Sequence, residues 1–215
     1  MQIVFYLLSL AIFAVVAGSA TAAGPAESVP PDKALQDLLD GNQRYVSNAA
    51  QHPDQRPSAD PQHPIAAVLS CADSRVPPEI IFDQGVGAIF VTRVAGNTYN
   101  ALVLESLEYA VKHLGVRLII VMGHDQCGAV DAALKAYPER VAGTMLKNIY
   151  PAVKAAKNMS GDRLTNTINA NAELVVKGLA GEAAFAPLVN SGELKVIAAR
   201  YGLASGRVIV LPNNP

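Results

Sequence analysis

The 215-residue sequence has no tryptophan, only two cysteines, and charged residues at just 16% of its positions. Each shortage excludes something. Two cysteines cannot build the multi-bridge framework of a small disulfide-stapled domain, and they leave open one bridge, two buried thiols or two metal ligands. A charged fraction this low, beside 51% hydrophobic residues, excludes a disordered, charge-solvated chain. Neither sign of charge dominates: 17 Lys and Arg stand against 18 Asp and Glu, a formal net charge of -1. No global field therefore favours a phosphate backbone or an anionic membrane surface, and nucleic acid is not an expected partner. The length suits one globular domain, at roughly 100 to 200 residues per domain.

What is present begins with a long apolar run. Ile3 to Ala17 (IVFYLLSLAIFAVVA) carries no charge and is followed by the small-residue segment GSATAAG. This pattern predicts a secretory signal peptide over residues 1–23, cut after Ala22 or Ala23, and a single mature domain over 24–215. An uncut anchor is the competing reading, since the stretch to Ala23 nearly suffices to span a bilayer. In either case the working domain is expected outside the cytoplasm, periplasmic or secreted, with no membrane contact once the leader is removed.

Leu35, Leu38, Leu39 and Tyr45 recur on one face of a predicted first helix that starts near Pro31 and Asp32. Continuous apolar runs at 65–69, 88–91, 116–122 and 194–199 have the length of strands buried on both faces, and a short run at 207–211 follows a turn. Between the second and third runs, Leu102, Val103, Leu107, Ala110, Val111 and Leu114 repeat at helical spacing, with Gly115 as a stop. Strand, helix, strand predicts a right-handed crossover. The expected class is α/β: a short, mostly parallel sheet flanked by helices, with ligands beyond the carboxyl ends of the strands.

Both cysteines fall at such ends. Cys71 follows the first predicted strand, and His124 with Cys127 follows the third. Thiolate and imidazole are favoured zinc donors, and three protein ligands with one open position describe a catalytic rather than a structural zinc site. A Cys71–Cys127 disulfide is equally open on spacing alone. Beside Cys71, the segment Cys71-Ala72-Asp73-Ser74-Arg75 sets a carboxylate two positions from a guanidinium, just before the helix-limiting Val76-Pro77-Pro78. Such an Asp is held ionised and oriented, although an ordinary turn-stabilising ion pair has the same sequence.

Four blocks, CADSRVPPE from Cys71, VTRVAGN from Val91, ESLEYAVKHLGV from Glu105 and MGHDQCGAV from Met122, together resemble the β-class carbonic anhydrases in order and spacing. The likeness runs from about Pro31 to Leu211. It implies Cys71, His124 and Cys127 as Zn2+ ligands, Asp73 and Arg75 as a catalytic dyad, and a homodimer or higher homo-oligomer. It also implies reversible hydration of carbon dioxide to bicarbonate by zinc-bound hydroxide that Asp73 orients. Asp73 is a further candidate ligand, able to take the fourth zinc position in an inactive form.

The chain departs from the family in places. Members inhibited by bicarbonate carry a Trp where this chain has Val68, while Arg93 and Tyr201 resemble the rest of that inhibitory pocket. Gln84 sits one position from a substrate-binding Gln of plant-like members and is not assigned. His52, His63 and His113 read as loop or surface residues, and Gly128 as the hinge of a tight turn near the ion. Two alternatives remain: the same zinc site acting on carbon disulfide or carbonyl sulfide, and a non-catalytic exported binding protein with its cysteines bridged.

Overall fold

A computed structural model describes residues 28–51, 61–138 and 143–212; the candidate leader and His52 lie outside the described residues. Among these, β1 (Ala66–Ser70), β2 (Ile89–Arg93), β3 (Leu118–His124), β4 (Lys195–Tyr201) and β5 (Val208–Val210) form one sheet in the order β2-β1-β3-β4-β5. The first four strands are parallel and β5 pairs antiparallel with β4. β2 and β3, which the predicted crossover joins, are not neighbours, because β1 lies between them.

Side chains alternate across the sheet with period two, and both faces are covered. Ala67, Leu69, Ile119 and Val121 face one core, packed on Val103, Leu107 and Val111 of α3 (Ala101–His113) and Val175 and Leu179 of α6 (Arg163–Gly181). Ala66, Val68, Leu118, Ile120 and Met122 face the other, against Ala34 and Leu38 of α1 (Pro31–Val46). This two-sided burial is why the central strands read as unbroken apolar runs. No helix among the described residues is long and apolar enough to cross a membrane.

Local chemistry sets the helix ends. Asn100 caps α3 by accepting from the Val103 amide at 3.1 Å, and Asp162 caps α6 by accepting from Thr165 at 2.8 Å. The expected stop at Gly115 holds, with φ at +72°. Pro77-Pro78 does not merely limit a helix: Pro78 opens the short α2 (Pro78–Ile81), because proline's fixed φ suits a first turn. Two more helices, α4 (Gly128–Ala136) and α5 (Thr144–Ala155), precede α6, and α7 (Ala186–Asn190) follows it.

α1 is fixed from its buried face. An added Cβ at Gly41 would stand 1.8 Å from the Phe82 carbonyl oxygen, so only glycine allows this approach. Next to it, the Asn42 amide donates to the Ile81 and Gly206 carbonyls at 3.0 and 2.8 Å, and its oxygen accepts from Val208 N–H at 2.8 Å. One side chain thus ties α1 to the end of α2 and to the approach to β5.

Candidate metal centre

Parallel pairing of β1 with β3 puts Ser70 opposite Met122, so the carboxyl ends of both strands open on one side. Cys71 follows directly from β1 and His124 ends β3. The chain then turns through Gln126, whose φ of +53° is left-handed, and brings Cys127 back as the residue capping α4. Gly128 has no such φ and open space where its Cβ would be, so the tight turn expected of it is made by Gln126 instead.

The donor atoms of Cys71, His124 and Cys127 all lie within 4.8 Å of one another, and all three residues are buried. The two sulfurs are unbonded and 3.9 Å apart, so the disulfide that spacing left open is not formed. His124 Nδ1 lies 2.8 Å from the Asp125 carbonyl, which fixes Nδ1 as the protonated nitrogen and turns Nε2 inward as a free lone pair. Nε2 is buried and makes no protein hydrogen bond of ordinary length, with Asp73 Oδ2 3.8 Å away. A convergent, buried set of two sulfurs and an orphaned imidazole nitrogen fits a thiophilic divalent cation such as zinc.

The two thiols are electrostatically coupled. The Cys71 thiol is drawn down to about 4, first by its hydrogen bond with Cys127, against burial, and further by His124 and the Gly96 amide. Cys127 is pushed up, first by the neighbouring Cys71 thiolate and then by burial. Thiol protons must leave when a cation takes both sulfurs.

Asp73 stands beside this group, with Oδ2 3.8 Å from His124 Nε2. Arg75 grips it as a fork: Nε to Oδ1 at 2.9 Å and an Nη to Oδ2 at 2.8 Å, with the Arg75 amide on Oδ1 at 3.0 Å. The Arg75 hydrogen bonds hold the Asp73 carboxyl well below the usual carboxylate range despite partial burial. Arg93 donates to the carbonyls of Cys71 and Asp73 and so braces the loop carrying both. Tyr201 is buried with its hydroxyl 3.3 Å from that of Tyr45, and it shares a core with Val68. Gln84 donates to the Phe82 carbonyl, His63 is exposed and His113 stacks on Tyr109, so none of these three joins the group.

Sequence reasoning missed the support behind the donors. Gly96 N–H donates to Cys71 Sγ at 3.3 Å, and the Gly96 carbonyl accepts from buried Asn171 at 2.8 Å. Arg200 pairs with Asp125 at 3.2 Å on the turn after His124. The Gly-Asn pair within VTRVAGN is the only local signal for any of these.

The family profile "Carbonic anhydrase" matches residues 66–208. Carbonic anhydrase 2 of Mycobacterium tuberculosis is 37% identical over 191 residues, covering 84% of this chain and 92% of that protein. A β-carbonic anhydrase of Aspergillus fumigatus has a similar fold, with a TM-score of 0.66 at 24% identity over 84% of this chain and 92% of that one. A tetrameric β-carbonic anhydrase of Sordaria macrospora superposes with a TM-score of 0.64 at 25% identity, covering 83% and 96%. Sequence, fold and the arrangement of strand-end donors agree: this chain belongs to the carbonic anhydrase family, in its β-class.

Proposed function

We propose that this protein hydrates carbon dioxide reversibly to bicarbonate and a proton, with zinc held by Cys71, His124 and Cys127. The observation that carries the reading is the meeting of three buried donor atoms beside a carboxylate clamped by arginine. When bound, zinc supplies Lewis acidity and makes water a usable nucleophile near neutral pH. Two thiolates and a neutral imidazole cancel the formal charge of the cation, so the protein must add polarisation of its own. Asp73 is ionised and oriented by Arg75 to accept a hydrogen bond from the attacking oxygen, which directs a lone pair toward the substrate carbon. Both Asp73 oxygens are engaged by Arg75, which favours this role over Asp73 as a fourth ligand. Val130, Ala133, Ile149, Val153 and Ile168 pack with the two cysteines and wall that side of the centre with apolar surface.

Elemental analysis with stopped-flow hydration tests the reading. Stoichiometric zinc and rapid hydration are expected, whereas a folded, reduced, zinc-loaded protein inert at about pH 8.5 would refute it. The same proposal extends to export of a single mature domain, 24–215, after loss of a leader at 1–23, and to a homodimer or higher homo-oligomer. The apolar N-terminal run and the tetrameric Sordaria relative support those two parts in turn.

A further inference from the structure

Asn171 lies on α6, 75 residues from Gly96 in sequence, and is 2% exposed. Its side chain is not among the three donor groups. It donates instead to the Gly96 carbonyl at 2.8 Å, and the amide of that same glycine points at Cys71 Sγ from 3.3 Å. Gly96 sits at φ +71°, followed by Asn97 at φ +42°, two successive left-handed residues. The Gly96 φ strains any residue but glycine, and a Cβ there would also crowd Ile149 Cδ1 at 2.8 Å and Ala129 Cβ at 3.3 Å. Glycine brings broad backbone freedom with it, and its orientation then depends on what grips its two polar ends.

We infer that Asn171 is a positioning residue, which locks the Gly96 peptide so that its N–H stays aimed at Cys71 and polarises that sulfur. The inference rests on the reading of Cys71 as a metal ligand. An N–H donor draws electron density from a thiolate, so the sulfur gives less charge to a bound cation. In a site where two thiolates already cancel the cation's formal charge, this restores part of its Lewis acidity.

Cobalt(II) substitution tests the idea, because thiolate-to-cobalt charge transfer reports directly on sulfur donation. The parent should take up cobalt with a charge-transfer band in the near ultraviolet. In Asn171→Leu, which fills the space, and Asn171→Ala, which empties it, the band should move to longer wavelength by a similar amount. Turnover of the zinc forms should fall about tenfold in kcat with KM unchanged. A merely structural role would lower the melting temperature, most in the alanine variant, and leave the band in place; that result overturns the inference. Should the alanine variant fail to fold, the leucine variant decides alone. A parent that binds cobalt with no thiolate band refutes the metal reading, and the inference with it, so the two failures are told apart.

Discussion

At the residue scale, the proposed reading separates holding the metal from directing the chemistry. Cys127→Ala should lose stoichiometric zinc, whereas Asp73→Ala should keep zinc and lose about a hundredfold in turnover. Elemental analysis and stopped-flow rates on the same samples check both, and equal rates for the Asp73 variant and the parent between about pH 7 and 9 would remove the dyad role. The Asp73 carboxyl is held below its ordinary value by Arg75. Its pairing therefore stabilises the fold above the unfolded carboxyl value of about 3.9 and is lost only as pH falls through the lower folded value. The ratio of parent to variant turnover should accordingly stay flat across the neutral range. The five residues of this reading were named from the sequence as candidates, three because they sit at strand ends and Asp73 with Arg75 because they follow Cys71, while the family resemblance supplied their proposed roles. Asn171, and the bracing role of Arg93, were not, since each acts on a backbone carbonyl brought near only by folding.

At the element scale, the fold depends on how closely α1 seats against the sheet. Gly41→Ala would drive a methyl into the Phe82 carbonyl, and a loss of about 1 to 3 kcal/mol or more is expected from such overpacking. Asn42→Ala would strand the Val208 amide and two carbonyls, with a loss of about 1 to 3 kcal/mol for a buried group left unpaired. Urea unfolding measures both, and wild-type midpoints would contradict this account of α1. The four parallel strands were legible as apolar runs, unbroken where burial covers both faces, and α1 and α3 because one-sided burial imposes a period of 3.6. α2 and α7 were hidden: four and five residues leave too few turns for a period to register. The sheet order was hidden as well, because no local pattern says that β1 inserts between β2 and β3.

At the scale of the whole molecule, light scattering on the purified protein should give a mass of at least two chains, as expected of a homo-oligomer. N-terminal sequencing of protein recovered from outside the cytoplasm should begin at residue 23 or 24, and an intact Met1 there would contradict cleavage. The proposed export would also give meaning to the spacing of Cys71 and Cys127. Their sulfurs are 3.9 Å apart, against a disulfide bond length of about 2 Å. A metal-free copy among disulfide donors would be sealed shut, while a loaded copy keeps both thiolates occupied. The cation would then serve as a protecting group as well as a reagent, and maturation becomes a race between zinc and oxidant.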